Sequence, residues 1–142
     1  MRSYNYATLG KRTVSFVIDD FTVSILFVII FYEQLSVITT PELMKSFLLN
    51  YSWVLLLLKL IYHTFFIGYN GMTIGKYIVK IRAIDEVTGG KLPWNRAFIR
   101  ALVRIIGESL LYFTFIYAIF DKKVQTLHDK VVNCVVVSNV KN

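Results

Sequence analysis

TVSFVIDDFTVSILFVIIFY, residues 13–32, is the stretch that decides the fold, because it is apolar over the length that a helix needs to cross a bilayer. Two adjacent carboxylates, Asp19 and Asp20, interrupt it. An ionisable side chain at the centre of a membrane helix costs about 2.5–3.5 kcal/mol on insertion scales. Such residues therefore persist only where they are paired, hydrated or used in function.

Two further segments, residues 46–68 and residues 97–120, are apolar over a comparable length. The ionisable residues inside these two segments are Lys59, His63, Arg100, Arg104 and Glu108. We therefore predict an all-α membrane protein, in which the first two segments form a transmembrane helical hairpin. The third segment is expected to be a partly interfacial or re-entrant helix.

The composition also favours a membrane protein. The chain has 142 residues, of which 56% are hydrophobic and 18% charged, with a net charge of +7, whereas soluble domains are about 45–50% apolar and about 25% charged. We expect a single domain over residues 1–142, without a cleavable signal peptide. The lone Cys134 excludes an internal disulfide framework, and no His or Cys spacing suggests a metal site. We expect no enzyme activity, no cofactor, no metal and no nucleic-acid partner.

Lysine and arginine distribution predicts the orientation. They are frequent before residue 13 and in the second loop, residues 69–96, whereas the first loop, residues 33–50, has only Lys45. The positive-inside bias therefore places the N-terminus and the second loop in the cytoplasm. The tail, residues 121–142, is also basic, but a straight third span would place it outside. Either the third segment breaks near Gly107 and returns, or it spans fully and the tail is external.

Two short β-rich stretches favour the returning segment. KYIVKIRAI (residues 76–84) and VVNCVVV (residues 131–137) are too short to be stable alone, and they can pair only on the same side of the membrane. We therefore expect a small cytoplasmic β element. We also expect a turn around Pro41 between the first two spans. GMTIGK, residues 71–76, is not a phosphate loop, because three residues rather than four separate Gly71 from the Gly-Lys pair.

Four sequence elements occur in a characteristic order. They are Arg12 with Asp19 seven residues later, Gly71-Met-Thr73-Ile-Gly75-Lys76, Gly89 or Gly90 ahead of Arg96 and Arg100, and Leu127-His128-Asp129 before a valine-rich stretch. In these elements the chain resembles the RDD family of small, mainly bacterial integral membrane proteins, named for one arginine and two aspartates. The resemblance identifies Arg12 as the arginine of the family pattern, Asp19 as its first aspartate and Asp129 as its second.

The resemblance implies an integral membrane protein. Together with the lysine and arginine distribution, it leads us to expect a multi-pass protein of the bacterial cytoplasmic (inner) membrane with a cytoplasmic N-terminus. Most members of the family are uncharacterised, and many are suspected of transport, with cation/proton exchange proposed for some. The resemblance does not imply an enzyme. His128 and Asp129 are expected to form a cap or turn that holds the tail at the cytoplasmic surface.

The rise of a helix, about 1.5 Å per residue, places the buried charges at similar depths near the cytoplasmic side. The expected charge layer contains three acids and three bases, which are Asp19, Asp20, Glu108, Lys59, Arg100 and Arg104. Arg12 and Asp19 share a helix face two turns apart, which is too far for an easy contact. Each is therefore expected to meet a partner from another segment.

Two functions remain open. In the first, Asp19, Asp20 and His63 form a site that exchanges a proton for Na⁺ or K⁺, which would require a homo-oligomer because two or three spans cannot enclose a pathway. In the second, the charge layer is structural and the protein is a non-transporting accessory or assembly protein. Its basic cytoplasmic face would then bind anionic lipid or a membrane partner protein.

Overall fold

The computed structural model describes residues 4–110 and 113–138, apart from the side chains of residues 113–115. Most of these residues are helical. In chain order the elements are α1 (Leu9–Ile30), α2 (Tyr32–Ser36), α3 (Pro41–Asn70), α4 (Ile74–Ile78), β1 (Ile81–Asp85), α5 (Trp94–Ser109), α6 (Phe113–Phe120), α7 (Leu127–Val131) and β2 (Cys134–Ser138).

Helices α1 and α3 are long and apolar enough to cross a membrane, with mean hydropathies of 2.1 and 1.4. Only 22% of the most apolar window of each helix is buried inside the protein. The outward surface includes Phe21, Ile29 and Leu49, each more than 60% exposed. A large exposed apolar surface of this kind is typical of contact with lipid or with another protein.

Both long helices begin earlier than the hydropathy predicts. Thr8 caps α1 by accepting from Lys11 N, and Thr40 caps α3 by accepting from Leu43 N, each at 3.4 Å. Pro41 is the first residue of α3, where its fixed φ and missing N–H are compatible with a helix. The turn predicted between the first two spans lies at residues 37–40, directly before Pro41.

The third apolar segment is divided into α5 and α6 rather than forming one helix over residues 97–120. Gly107, where we predicted a break, is buried within α5, which continues to Ser109. Residues 111–112 lie outside the described part of the chain. The eight residues of α6 are too few to cross a bilayer, and α6 packs against both α5 and α7.

The tail lies at the same end of the molecule as the N-terminal segment and the second loop. Strand β2 pairs antiparallel with β1, with Ile81 opposite Ser138. The N-terminal segment joins β2 through Ala7 N, which donates to Val136 O at 2.8 Å. The two β-rich stretches that were predicted to pair therefore do pair, through Ile81–Asp85 and Cys134–Ser138.

The predicted strand over residues 76–84 is partly wrong, because residues 74–78 form helix α4. Thr73 caps this helix by accepting from Lys76 N at 3.3 Å. The strand begins only at Ile81, after Lys80 adopts a left-handed φ of 56°. The core beneath the two strands is built from small and branched residues, which are Ala7, Ile67, Ile81, Ala83, Leu92, Ala97, Val132, Cys134 and Val136.

Candidate functional site: a buried charge cluster

The buried charge cluster lies where α1, α3, α4, α5 and α7 meet. Its members are Arg12, Asp19, Asp20, Lys59, His63, Lys76, Arg100, Arg104, Glu108, His128 and Asp129. Seven of these belong to the three apolar segments in which sequence reasoning looked for a charge layer. Three of the others, Lys76, His128 and Asp129, were predicted only as motif residues.

Asp19 is fully buried and accepts hydrogen bonds from two other elements. Its Oδ1 accepts from Tyr62 Oη and from Gly75 N, each at 2.8 Å, and its Oδ2 accepts from Thr73 Oγ1 at 2.6 Å. Ser15 Oγ lies 3.5 Å from the same carboxylate. Asp19 therefore joins α1 to α3 and to the first turn of α4. Its carboxylate satisfies the Gly75 N–H, one of the N-terminal donors that have no partner within a short helix.

Asp129 is also fully buried, and two arginines share its carboxylate. Arg12 pairs with Oδ2, Arg100 donates to Oδ1 from Nε at 2.8 Å, and Nη2 of Arg100 lies 2.6 Å from the same oxygen. Thr126 N donates to Oδ2 at 3.3 Å, which completes a capping box at the start of α7. Asp129 thus holds the tail against α1 and α5, consistent with the cap that the sequence predicted.

Burial alone would raise the pKa of Asp129. The guanidiniums of Arg100 and Arg12 outweigh this effect and hold the pKa well below its usual range. Burial also lowers the pKa of His128 well below its usual value, although Asp129 opposes the shift. His128 is therefore neutral at physiological pH, and its Nε2 lies 2.8 Å from Thr126 Oγ1.

A second branch of the cluster links the three apolar segments. Lys59 of α3 lies 2.6 Å from Asp20 of α1 and 3.0 Å from Glu108 of α5. Glu108 also pairs with Arg104 at 3.0 Å, one helical turn away. The structure thus brings together four of the six predicted layer residues. The other two bind elsewhere in the cluster, Arg100 to Asp129 from the tail and Asp19 to Tyr62 and the start of α4.

The structure does not assemble the predicted set of Asp19, Asp20 and His63 around a cation. Asp19 contacts Tyr62 and α4, whereas Asp20 pairs with Lys59 and is 40% exposed. His63 is buried beside the Tyr62 ring, and its Nδ1 has no hydrogen-bond partner among the described residues. Within residues 4–110 and 113–138, no group of three His, Cys, Asp or Glu side chains could hold a metal ion.

Lys76 is the buried charge that sequence reasoning missed. It lies in α4, is 5% exposed, and no carboxylate of the described residues lies within ion-pair distance of its ammonium. Burial lowers its pKa to about 7; Arg100 and Arg104 add to this effect, while Asp19 opposes it. The sequence marked Lys76 only as the end of the GMTIGK motif, outside the apolar segments.

We expect substitution of Lys76 by methionine to remove a component of the pH dependence of stability. Because the pKa of Lys76 is about 7 in the folded protein and near its ordinary value of about 10.4 when unfolded, the unfolded state binds more protons between these values. Stability therefore rises with pH in this window, by up to about 1.4 kcal/mol per pH unit, and reaches its full value above it.

Thermal unfolding followed by tryptophan fluorescence, in sodium gluconate between pH 6.5 and pH 10, measures this component as the difference between wild type and Lys76→Met. Lys45→Met, at an exposed position, is the control and should follow the wild type. Parallel curves for wild type and Lys76→Met would contradict the expectation.

The remaining motif residues have structural positions. Gly71 ends α3 with a φ of 76°, a left-handed conformation that favours glycine, and Gly89 has a φ of 73° in the turn before α5. Leu127 starts α7 and is 42% exposed. Arg96 pairs with Asp85 at 2.6 Å, and this ion pair lowers the pKa of Asp85 although burial opposes the shift.

Two apolar helices of membrane-spanning length, with a buried charge cluster at one end, define a small helical protein of membrane type. The chain belongs to the RDD family, whose family model matches residues 6–133. The arginine and the two aspartates of the family pattern all lie within the buried charge cluster; they are Arg12, Asp19 and Asp129.

Curated relatives match part of the chain. It is 30% identical over 89 residues to the proline-rich antigen homolog of Mycobacterium tuberculosis (strain ATCC 25618 / H37Rv). This alignment covers 60% of this chain and 37% of that protein. It is 31% identical over 68 residues to the proline-rich antigen of Mycobacterium leprae (strain TN), covering 48% of this chain and 27% of that protein. The matches thus span about a third of the relatives' length. No solved structure matches the chain.

Proposed function

We propose that this chain is a multi-pass protein of the bacterial inner membrane, and that it acts as a non-transporting accessory or assembly protein. In this proposal the buried charge cluster fixes the arrangement of α1, α3, α5 and the tail. The saturation of Asp19 carries the proposal, because both of its oxygens accept short hydrogen bonds from neighbouring elements. A carboxylate used in this way has little remaining capacity to coordinate a transported cation.

Orientation follows from the charge distribution. The N-terminal segment, the second loop and the tail meet at one end of the molecule, and all three are basic. The positive-inside bias places this end in the cytoplasm. Its exposed lysines, which include Lys80, Lys91 and Lys122, would then face the anionic lipid headgroups or an acidic surface of a partner protein.

Cation/proton exchange is the second candidate, and Lys76 is the observation that favours it. A buried amine with a pKa of about 7 can take up and release a proton near neutrality, and the negative charge of Asp19 favours its protonated form. Exchange through this site would require several copies of the chain, because two spans do not enclose a pathway. The outward apolar faces of α1 and α3 are available for contacts between copies.

Asp19→Asn separates the two functions. If the cluster is structural, the variant loses stability, since a hydrogen bond to a charged group contributes about 1.5–3 kcal/mol. We expect wild-type protein reconstituted in vesicles to give only background Na⁺ and K⁺ flux under a pH gradient, and Asp19→Asn to give the same flux with a lower melting temperature.

Asp20→Asn is the matched control, because Asp20 is adjacent in sequence but 40% exposed. Its loss of stability should be clearly smaller than that of Asp19→Asn. A pH-dependent flux in the wild type that Asp19→Asn abolishes would overturn the accessory function and establish exchange.

A further inference from the structure

The buried charge cluster contains more cations than carboxylates. The cations are Arg12, Lys59, Lys76, Arg100 and Arg104, and the carboxylates are Asp19, Asp20, Glu108 and Asp129. The two histidines apart, the cluster therefore has an excess of one positive charge when these members are ionised. An uncompensated charge in a low-dielectric interior is unfavourable, so it is normally paired or neutralised.

The cluster also contains hydrogen-bond donors that the described residues leave unused. Nη1 of Arg12 and Nη1 of Arg100 are both buried, and neither has a hydrogen-bond partner among the described residues. Arg100 lies beside the Cys134 thiol, which is at best a weak acceptor. Buried guanidinium N–H groups normally have partners. These two therefore indicate a missing acceptor.

The unused donors and the excess charge lie in the same place. Arg12 and Arg100 bind the two oxygens of the same carboxylate, so both guanidiniums lie beside Asp129. The charge of Lys76 acts on Arg100 and on Arg12, and of these two it acts more strongly on Arg100. Gly75, the residue before Lys76, packs on the backbone of Ser15, one turn after Arg12 in α1. The three cations therefore lie in one part of the cluster, around α1, α4 and the side chain of Asp129.

We propose that this region binds one small monovalent anion of the size and charge of chloride. Nη1 of Arg12 and Nη1 of Arg100 donate to it, and the ammonium of Lys76 supplies the balancing charge. One negative charge matches the excess of one positive charge.

The burial of these side chains favours a small anion. Arg12, Lys76 and Arg100 are 6%, 5% and 1% exposed, so an anion bound by them is enclosed by protein, which disfavours a phosphate or lipid headgroup. A phosphate dianion would also exceed the charge to be balanced. A monatomic anion needs only the space of about one water molecule.

Anion binding should be coupled to protonation of Lys76, because a bound anion favours the charged amine. The halide affinity is therefore expected to rise as the pH falls from 9 to 6. The charged and titratable groups that act on Lys76 or lie beside it in the cluster are Arg12 and Asp19 of α1, His63 of α3, Arg100 and Arg104 of α5, and His128 and Asp129 of α7.

The test uses the full chain purified in detergent, with sodium gluconate replaced by sodium chloride or bromide at constant ionic strength. We expect the melting temperature to rise with halide concentration and to reach a plateau. Lys76→Met should bind halide at least about tenfold more weakly than the wild type, because it removes a unit charge beside the anion. Lys45→Met, at an exposed position, should respond like the wild type.

Identical melting temperatures of the wild type in gluconate and in chloride would overturn the proposal, as would an equal halide response in wild type and Lys76→Met.

A measurement on the wild type alone covers the case in which the variant does not fold. The chloride NMR line should broaden in the presence of the protein, and bromide, but not gluconate, should reverse the broadening. An unbroadened line would mean that the arginine donors are hydrated instead.

Discussion

Asp129→Asn is expected to destabilise the protein more than any other single substitution in the buried charge cluster. The change removes the negative charge that Arg12 and Arg100 share, and both guanidiniums are almost inaccessible to water. Removing one partner of a buried ion pair typically costs about 3–5 kcal/mol, because the other charge remains buried and unpaired. Here two cations are left, so we expect a large loss of folded protein.

Two measurements check this prediction. The first is the yield of monodisperse protein and its melting temperature. The second is labelling of Cys134, the single cysteine, which is buried in β2 behind α7. Because Asp129 holds the tail against α1 and α5, its loss should expose Cys134, and a maleimide should react faster with the variant than with the wild type.

Glu86→Gln is the matched control. Glu86 pairs with Lys123, but both side chains are partly exposed, at 26% and 44%. Exposed ion pairs contribute about 0–1 kcal/mol, so this control should remain folded, with Cys134 protected. If Asp129→Asn matched the control in yield and in labelling, the role of Asp129 in holding the tail would be contradicted.

The apolar helices and part of their ion pairing could be predicted from the sequence. The 13–32 and 46–68 stretches are apolar over the required length; α1 covers the first as far as Ile30, and α3 covers all of the second. Helix rise also placed Lys59 and Glu108 at similar depths, and the structure pairs them. These features depend on composition and on distance along a helix, and both can be calculated from residue types and residue numbers alone.

The partners that come from outside the apolar segments could not be predicted. Arg100 binds Asp129, which is 29 residues away in the tail. The sequence around α4 is β-rich, but its first turn is helical because Thr73 caps it and Asp19 accepts from Gly75 N. Lys76 is buried only because α4 packs against α1. Each of these features depends on tertiary contacts, which a local pattern does not contain.

The second large effect is expected from Gly75→Ala, since α4 approaches α1 most closely at this glycine. A methyl group at Gly75 would lie 2.9 Å from Asp19 Oδ1 and would press directly on the backbone carbonyl oxygen of Ser15. Neither atom can move away freely, because Ser15 O belongs to the α1 backbone and Asp19 is fixed by Tyr62 and Thr73. The two helices must therefore separate.

Separation of α4 from α1 should be destabilising for two reasons. Overpacking of a buried site costs about 1–3 kcal/mol. The hydrogen bond from Gly75 N to the Asp19 carboxylate is also lost or lengthened, and a bond to a charged group contributes about 1.5–3 kcal/mol. We expect a fall in melting temperature comparable to or larger than that of Asp19→Asn, because both changes disrupt the same contact and alanine adds a steric clash.

Gly10→Ala is the control for the glycine-to-alanine change itself. Gly10 lies in the first turn of α1, and a methyl group there would meet no atom within 4 Å. Alanine is favoured over glycine in a helix by about 1 kcal/mol, so this variant should be as stable as the wild type or more stable. Equal melting temperatures for Gly75→Ala and Gly10→Ala would mean that α4 does not pack on α1 through Asp19. A selective loss in Gly75→Ala would show that the glycine is required for Asp19 to reach the first turn of α4.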